Sequence, residues 1–569
     1  MLQNKKAHQE SNLQRYFLDI LFLFGKEVSF YMSYFTTSEL FFVVPLDVSD
    51  GEIQKIDFLL QILEKSGVGK LIEEMNYKSS SIGRNSYNPY KLFAAVIYCF
   101  SMHKGTLRNA QEMCKYDLRV WYILNQEKPS YKTIQEFINE IILPNTYRIF
   151  TLITSTIIKE LDIDISDQYL DGTKIEANAN KYKFVWKPRK NKVNLDKKIK
   201  ALLKEMDIGY NDSDNFVQSV EFNSYIKKYE EIQGINIDNI PNGKGIRLSR
   251  PQKLLKYAYD CLLRLLSYEE KEIICGPNRN SYYKTDNDAT AMALKTDYYS
   301  GHGSNMHAAY NIQFLVSAGF VTLFGVFQDR SDYYTLIPML EKYELYYGNY
   351  PKNLCADSGY GIYTNYDYLN SNNINNYVKF LNWNGESNRK NPQRYFLNDN
   401  KTNFKCLNDV KAKVVPFDSS HHQKKKHSKL YRFDGCLTCP YEYKCREKLK
   451  DRTVDYRLVE LNTKEEFYKE QARKNLLSVK GIEIRINRSI QAEGQFGNLK
   501  QNVSYVRLRR RGLDKVTCEI MLMCLALNIR KLFSVYKKDK VESSYWKANE
   551  NTKPEEFPKI KPKEKAVTN

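Results

Sequence analysis

The chain has 569 residues, with 87 Lys and Arg against 67 Asp and Glu and a formal net charge of +20. Hydrophobic residues make up 42% and charged residues 27%, which excludes wholesale disorder and is typical of a folded globular protein. At about 100–200 residues per domain, the length allows roughly three or four domains. The basic excess favours an anionic partner, nucleic acid ahead of membrane, although the abundance of Lys, Asn, Ile and Tyr leaves codon bias as another source of the charge.

The first part of the chain is predicted to be helical after an N-terminal extension. Met32 is as good a start as Met1, so residues 1–49 are set apart as uncertain. Apolar positions at helical spacing predict short helices through 50–165. Several short helices in succession are typical of a DNA-binding helix-turn-helix domain and equally of a plain helical bundle. The predicted helices begin near Asp50, Tyr90, Leu107 and Thr133, the last with Thr133 as its cap.

Strand patterns follow the helical part. An apolar strand ends at Asp171, and a second, short one ends at Asp357. Between them, two buried strands joined by a tight turn are predicted over 308–316 and 320–327. Because Asn, Gln and this turn interrupt their uncharged run, we do not expect a membrane helix there. The fold class is therefore α/β, with a mixed sheet flanked by helices. The predicted parts of its core are 166–182, 285–381 and 481–540.

Two polar stretches interrupt this predicted core. Residues 183–284 are rich in Lys and carry helical patches, whereas 382–480 are polar and contain four Cys. Both are predicted to be insertions. The final segment, 541–569, has Pro and Lys spread through it and is predicted to be disordered. The odd number of Cys, 11, and the lack of a cleavable signal lead us to expect a cytoplasmic protein with reduced thiols.

Three carboxylates are distinguished by their context. Asp171 and Asp357 each follow an apolar strand, and Glu493 lies on a predicted helix beside a strongly basic stretch. Such oxygens are the ligands that Mg²⁺ prefers, and two bound ions activate an attacking oxygen and stabilise a leaving one in phosphoryl transfer. Lys500, two helical turns beyond Glu493, is placed to hold a phosphate. The alternative is structural, because strand-end aspartates often cap turns. Asp332 is interpreted in that way, as a helix cap, with a further acidic neighbour of the site as the alternative.

The residues around these carboxylates resemble the motifs of a known family. The run DGTKIEANANKYKFVWK, which begins at Asp171, resembles the first-aspartate motif of bacterial insertion-sequence transposases of the DDE type. The run ADSGY around Asp357 resembles the second motif, and NRSIQAEGQFGNLK around Glu493 resembles the glutamate block. The closest resemblance is to the insertion-sequence 1182 family, within the larger group of insertion sequences 4 and 5. Further similar blocks occur in the same order at 83–89, 286–290, 310–313 and 509–513.

This resemblance implies an RNase H-like core preceded by a helical domain. It implies that the three carboxylates bind Mg²⁺ or Mn²⁺, that the enzyme cuts DNA at element ends, and that it joins the freed 3′-OH to target DNA. The implied partners are the terminal inverted repeats, target DNA and a second copy of the chain on DNA, without a membrane. The expected location is the cytoplasm, at the nucleoid.

The sequence departs from the family pattern in one place. The wider group often has a Tyr and an Arg seven and four residues before the glutamate, where this chain has Ile486 and Ser489. Arg488 is therefore only a substitute candidate for contacting phosphate. The departure leaves open a decayed or repurposed copy that binds DNA without cutting it. An RNase H-like nuclease that acts on RNA or branched DNA is a third alternative.

Four Cys in the second predicted insertion form a separate candidate metal site. Cys436, Cys439 and Cys445 have the spacing C-x₂-C-x₅-C, and Cys406 lies 30 residues upstream. Four thiolates, or three and one of the intervening His, complete a tetrahedral structural Zn²⁺ site. Unmetallated, exposed thiols are the alternative. The remaining Cys in apolar helical stretches are predicted to belong to the core.

Two segments carry much of the positive charge. Residues 401–450 and 481–540 each contain 13 Lys and Arg against 5 Asp and Glu. Clusters of this kind are typical of phosphate contacts, whose contribution falls with added salt. Solvated surface is the alternative interpretation. The residues predicted to contact DNA are Lys500, Arg488, Arg507, Arg509, Arg510 and Arg511.

Overall fold

The computed structural model describes most of the chain from residue 51 to residue 563. The gaps within that range are 76–85, 103–104, 242, 244–245, 295–305, 419–421, 426, 448, 450–451, 504 and 537–540. The predicted N-terminal extension, 1–49, lies outside the described residues, as does the first part of the block at 83–89.

Helices with one apolar face make up the first described part of the chain. The predicted helix from Leu107 is interrupted at Asp117, whose carboxylate accepts a hydrogen bond from the Arg119 backbone and starts a new helix. The next cap is also corrected, because Ser130 rather than Thr133 accepts the capping hydrogen bond. The helices are α1 Gly51–Lys65, α2 Val68–Glu74, α3 Pro89–Met102, α4 Leu107–Tyr116, α5 Leu118–Leu124, α6 Tyr131–Phe137 and α7 Thr146–Glu160.

A nearly continuous helical stretch joins α6 to α7. A π-helical turn, Ile138–Ile142, and a 3₁₀ turn, Leu143–Asn145, connect the two helices. Of the described residues, the stretch Tyr131–Glu160 alone is long and apolar enough to cross a membrane by length and composition, and half of its most apolar window is buried inside the protein.

These N-terminal helices do not enclose a core of their own. Buried residues of α1, α3 and α7 pack in one continuous cluster with a face of the central sheet and with a long C-terminal helix, Leu513–Tyr536. The helical part predicted over 50–165 is therefore joined to the sheet by shared hydrophobic packing.

A six-stranded mixed sheet forms the centre of the fold. Its order is β4-β5-β1-β7-β8, and β6 pairs with the second half of β5. The β1, β7 and β8 strands run parallel, whereas β5 is antiparallel to β1, β4 and β6. The strands of the chain are β1 Asp167–Glu176, β2 Phe184–Trp186, β3 Ser281–Tyr283, β4 Thr290–Ala293, β5 Met306–Ser317, β6 Phe320–Phe327, β7 Asn353–Ala356, β8 Asn375–Val378, β9 Tyr395–Leu397, β10 Phe404–Cys406, β11 Lys413–Val415, β12 Lys429–Asp434 and β13 Tyr456–Leu461.

The predicted hairpin between the two buried strands is confirmed. It corresponds to β5 and β6, joined at Ala318 and Gly319, whose φ angles of 51° and 76° are both positive. Two consecutive positive φ angles are the requirement of the type I′ turn, which matches the twist of the strands that it connects.

Asp171 lies within a strand, which corrects the prediction that it ends one. The parallel neighbour β7 pairs with β1 only as far as Tyr169, opposite Cys355. The much longer β5 keeps the rest of β1 extended by antiparallel pairing, through to Glu176. Asp171 and Asp357 nevertheless both lie just beyond the last parallel pair, at the same edge of the sheet.

Residues 183–284 form a helical excursion with its own small hydrophobic core. The short strands β2 and β3 pair at its base, so the chain leaves and returns at one point. The predicted helical patches belong to its first and third helices, and the second was not predicted. The three helices are α8 Arg189–Met206, α9 Ser219–Gln233 and α10 Arg250–Cys275.

The stretch predicted as a second insertion, 382–480, divides into two parts. Its first part contains a β9–β10 hairpin and a three-stranded β11-β12-β13 sheet. Its last helix packs instead against the central sheet, through Tyr468, Ala472 and Leu476. The remaining helices are α11 Leu336–Tyr347, α12 Tyr363–Ser371, α13 Trp383–Ser387, α14 Glu442–Cys445, α15 Thr463–Leu477, α16 Val479–Arg488, α17 Gly494–Gly497 and α18 Leu513–Tyr536.

The prediction of a disordered tail is wrong for residues 541–563. They have no helix or strand, yet the Asn487 side chain is hydrogen-bonded to the backbone of Tyr545 and Trp546. The Phe557 ring packs edge-on against Trp383, with ring centroids 4.6 Å apart. Aromatic residues scattered among the Lys and Pro hold the segment against the protein.

Candidate active site

A cavity of about 810 Å³ lies beside the carboxyl ends of β1 and β7. Asp171, Asp357 and Glu493 line it together, although they come from a strand, a strand end and a helix far apart in the sequence. Lys500 lines the same cavity, as its spacing from Glu493 predicted. The structure therefore brings together the four residues for which the sequence predicted metal and phosphate chemistry.

A tight turn sets the position of Asp357. Its carboxylate accepts a hydrogen bond of 2.8 Å from the backbone of Gly359. A Cβ at Gly359 would lie 2.9 Å from Asp357 Oδ1 and 3.5 Å from an oxygen of Asp332. The glycine thus leaves the space between two carboxylates open.

Glu493 ends a π-helical turn within a long helix. The turn, Ser489–Glu493, continues α16 and leads through α17 into a second π-helical turn, Asn498–Asn502. Because a π turn contains about one residue more than an α turn, the residue five before Glu493 faces the same way as the glutamate. That residue is Arg488, which replaces the arginine expected four residues before the glutamate.

Arg488 is a buried cation between two of the three carboxylates. Its Nη2 donates to Glu493 Oε1 at 2.8 Å, and its Nη1 lies 3.5 Å from Asp171 Oδ1. Ser489 Oγ donates to the other Glu493 oxygen at 3.2 Å. In this structure the predicted phosphate contact is thus an ion-pair partner of the carboxylates.

Burial raises the pKa of Asp171 to about 6. The Arg488 guanidinium opposes that rise, while the nearby charges of Asp357 and Glu493 reinforce it. The Asp171 side chain is 16% exposed, whereas that of Glu493 is 52% exposed. The site therefore concentrates negative charge around Asp171 and leaves Glu493 freer to exchange partners.

Asp332 is a further carboxylate of the cavity, and the interpretation as a helix cap is wrong because Ser331 caps the short helix Asp332–Tyr334. Asn311 Nδ2 and Gln313 Nε2 both donate to its Oδ1, at 2.7 and 2.9 Å. Gln313 Oε1 in turn accepts a hydrogen bond from the Tyr360 hydroxyl. The available sequence signal was the pair of polar residues at alternate positions of a buried strand, where both face one side of the sheet.

Close packing of β1 against the neighbouring strand β5 also shapes the site. A Cβ at Gly172 would lie 2.1 Å from Gln313 Nε2, so only glycine allows this approach of the two strands. Lys500 Nζ donates to the Thr173 hydroxyl, which places the ammonium group beside the Asp171 strand. Gly172 and Thr173 both belong to the first-aspartate motif, and their places explain why the motif continues beyond Asp171.

The predicted DNA-contacting arginines beyond the glutamate helix contact the protein itself. Arg507 pairs with Glu176 at 3.5 Å, and Arg510 donates to Asn139 Oδ1 at 3.2 Å. Arg509 and Arg511 each donate to a backbone carbonyl at 2.7 Å. These contacts fix the loop before α18, and binding of DNA by these side chains stays a prediction.

The four Cys of the second candidate site line one small cavity of about 30 Å³, here called the cysteine pocket. Cys406 completes the set, whereas the described His422 and His427 do not line it. All four are partly buried and free of disulfides. The predicted core Cys are also free of disulfides, but they are buried, as predicted. The members of the pocket are Cys406, Cys436, Cys439 and Cys445.

Both groups have donor atoms that suit their predicted metals. Carboxylate oxygens suit Mg²⁺ or Mn²⁺, and four sulfurs suit Zn²⁺. Within the described ranges, no group of three or more His, Cys, Asp or Glu side chains is arranged to hold an ion as it stands. In the first site Arg488 occupies the place of a cation between Asp171 and Glu493.

Comparison with known proteins gives one match. Residues 406–533 match the family model described as a transposase DDE domain. The matched segment contains Glu493, Lys500 and the cysteine pocket, and it lies downstream of Asp171 and Asp357. No curated protein and no solved structure matches the chain.

The matched domain supports a DDE transposase as the class of this protein. Such a domain implies DNA as a partner and nuclease or transposition activity in general terms, and DDE transposases generally use divalent metal ions. The mixed α/β fold, with its sheet flanked by helices, is consistent with that class.

Proposed function

We propose that the chain is the DDE transposase of a bacterial insertion sequence, related to the insertion-sequence 1182 family, which cuts element ends and joins each freed 3′-OH to target DNA. The observation that carries the proposal is the convergence of Asp171, Asp357 and Glu493 on one cavity. The chain has 67 acidic residues, so a chance choice of three would rarely share a site. The three residues chosen from the motifs all lie among the acidic residues that line this cavity.

The sheet supports an RNase H-like core. That fold has an antiparallel three-stranded meander whose first strand is followed, on its other side, by two parallel strands. Here β1, β5 and β6 form such a meander, and β7 and β8 continue in parallel beyond β1. The two aspartates then lie on adjacent parallel strands, with the glutamate on a helix packed against them.

The three carboxylates are proposed to hold two divalent ions. When bound, these ions activate the attacking oxygen and stabilise the leaving oxygen in phosphodiester cleavage and joining. Without a cation the carboxylates would repel a DNA phosphate, so ion binding and DNA binding are coupled. Glu493, the most exposed of the three, is free to exchange Arg488 for an ion, and Lys500, whose ammonium group lies beside Thr173 in the same cavity, is placed to hold a phosphate.

A strand-transfer assay tests the proposal. The full-length protein is mixed with DNA carrying the terminal inverted repeats found beside its gene, with target DNA, and with Mg²⁺ or Mn²⁺. Asp171→Asn, Asp357→Asn and Glu493→Gln are each expected to lower cutting and joining by about 10³-fold or more, since groups that act as a unit are lost together. Single-turnover rates with end-labelled DNA give the measurement.

Matched controls are carboxylates outside the cavity. Asp260→Asn and Glu470→Gln replace exposed acids on α10 and α15 and should leave the rate unchanged. If the three cavity variants keep normal joining, the site assignment is wrong. Salt-dependent DNA binding without cutting would favour a repurposed DNA-binding protein, and cutting without joining would favour a nuclease. The proposal also includes that the protein acts as a homodimer on DNA, is located at the nucleoid and has no membrane partner.

A further inference from the structure

The region around the cysteine pocket has very little hydrophobic core. Among the described residues, its hydrophobic cluster contains only four buried side chains, beneath the β9–β10 hairpin and the β11-β12-β13 sheet. Strands of three to six residues with so little burial need another source of stability. The four members of the cluster are Phe404, Ala412, Tyr431 and Phe433.

The cysteine pocket joins three pieces of this region. Cys406 ends β10, and Cys445 ends the short helix α14. Cys436 and Cys439 lie on the loop that follows β12. A single ion bound to all four sulfurs would therefore tie the hairpin, the loop and the helix together.

Three arginines at or next to the pocket have buried nitrogens that find no acceptor in the part of the chain that the structure describes. We call Arg394, Arg446 and Arg457 the arginine shell. Arg446 is only 1% exposed and lines the pocket, and its Nε and Nη1 have no hydrogen-bond partner among the described residues. The same holds for the buried Nε atoms of Arg394 and Arg457. Buried guanidinium groups require anionic or strongly polar acceptors, and neutral thiols are poor ones.

We propose that the cysteine pocket binds one structural Zn²⁺ through its four sulfurs and that the arginine shell balances the charge of this centre. Four thiols release four protons on binding, so the ion and four thiolates carry a net charge of −2. The unpartnered guanidinium N–H groups then donate to sulfur, as partners around metal ligands commonly do. Binding requires the side chains of the four partly buried Cys to bring their sulfurs to the Zn–S distance of about 2.3 Å.

The first experiment measures zinc in the full-length protein. Purified protein is reconstituted with Zn²⁺, freed of excess metal, and analysed by elemental mass spectrometry. We expect one zinc per chain, which a mercurial thiol reagent releases. Cys439→Ser and Cys445→Ser should lower zinc content at least about tenfold, whereas Cys261→Ala, which removes a buried thiol of α10, should retain one zinc per chain. Equal zinc in pocket variants and control would overturn the proposal.

Cobalt provides a readout that does not depend on variants. Co²⁺ in a tetrahedral thiolate site gives intense visible bands and a sulfur-to-metal charge-transfer band. We expect these bands in the wild-type protein, with a weaker charge-transfer band in Cys406→Ser if its sulfur is the fourth ligand. A wild-type protein without thiolate bands, or with a Cys436–Cys439 disulfide and no bound metal, would refute the site.

The arginine shell has its own test. Arg446→Met keeps an unbranched apolar stem but removes the guanidinium N–H donors, and we expect the zinc affinity to fall about 10–100-fold, measured by competition with a chromophoric chelator. Arg432→Met, on β12 of the same region, is the matched control because its guanidinium pairs with Asp434 at 2.7 Å. Equal zinc affinities for the two variants would exclude charge balance by Arg446. None of these tests depends on DNA cutting, so they are independent of the proposed transposase function.

Discussion

The active-site cavity and the cysteine pocket gather opposite charges. Five carboxylates line the first, and the buried guanidinium of Arg488 lies between two of them. In the second, the buried Arg446 and the half-buried Arg457 line the pocket together with the thiols, and the half-buried Arg394 precedes the lining residue Tyr395. The first cavity therefore has an excess of negative charge, and the second has an excess of positive charge.

The difference indicates what each cavity can accept. An excess of carboxylates favours hard divalent cations and leaves room to exchange them, because Glu493 is half exposed. An excess of buried guanidinium favours a metal-thiolate group of net negative charge, which a closed structural site supplies. The first cavity is suited to ions that exchange, and the second to an ion that stays bound and stabilises the fold. Variants that each remove one charge distinguish these two kinds of site.

The largest effect is expected at Arg488. Arg488→Met leaves Asp171 and Glu493 without their cation, and loss of a buried ion-pair partner costs about 3–5 kcal/mol. We place the loss near the lower end, since Glu493 is half exposed. Added Mg²⁺ should recover much of the loss, because it neutralises the same carboxylates. Urea unfolding in EDTA and in Mg²⁺ measures both values.

A neighbouring arginine provides the control for that experiment. Arg485 lies one turn earlier on α16, but its guanidinium pairs with Glu555 at 2.7 Å, outside the cavity. Arg485→Met should lose stability by the same amount with and without Mg²⁺. If the Arg488 variant behaves in the same way, Arg488 does not occupy a cation position.

A smaller, pH-dependent effect is expected at Asp171. Its pKa is raised from 3.8 to about 6 by burial, so the folded protein holds this proton more tightly than the unfolded chain. The free energy of unfolding therefore falls as pH rises from 3.8 to about 6, and above pH 6 the full cost is about 2–3 kcal/mol. Asp171→Asn removes the ionisation, so the variant should have a higher free energy of unfolding than wild type above pH 6. Below about pH 4, where Asp171 is protonated in both states, this advantage should be absent.

Urea unfolding in EDTA across this pH range measures the Asp171 effect. Asp260→Asn, at an exposed position of α10, should show no such crossover. A constant difference between the Asp171 variant and wild type at every pH would mean that ionisation of Asp171 does not oppose folding. Mg²⁺ should abolish the gain of the variant, because an ion stabilises the ionised form.

Much of the sheet could be predicted because its strands carry strong local signals. β5 and β6 are rich in apolar, β-branched and aromatic residues, and the turn between them needs only the two positive φ angles at Ala318 and Gly319. The length of β1 could not be predicted, because the polar half beyond Asp171 is extended only through pairing with β5. Shared packing of α3 and α7 with α18 is likewise a tertiary contact without a local signal.

The same division holds within the candidate site. Asp171, Asp357 and Glu493 were found from motifs, and the structure places them along one cavity. Arg488 was only a substitute candidate because an α-helical count puts Ser489 in line with Glu493, and the π-helical turn shifts that register by one residue. Asp332 was assigned first to a helix cap because its partners, Asn311 and Gln313, come from a strand that passes beside it in space.

The smallest effect is expected at Asp332, and it separates positioning from ion binding. Asp332→Asn keeps the shape of the side chain but weakens its acceptance of hydrogen bonds from the Asn311 and Gln313 amides, at a cost of about 1 kcal/mol. If Asp332 only holds these amides and the turn at Gly359, the cutting rate should fall less than about tenfold, with an unchanged dependence on Mg²⁺ concentration. If Asp332 itself binds an ion, the Mg²⁺ concentration for half-maximal rate should rise about 10–100-fold. Gln313→Glu places a second carboxylate beside Asp332. If Asp332 only positions the amides, this variant should lower the cutting rate; if Asp332 binds an ion, it should alter the dependence of the rate on Mg²⁺ concentration. Mg²⁺ titrations of the two variants together therefore decide which carboxylates of the cavity exchange cations.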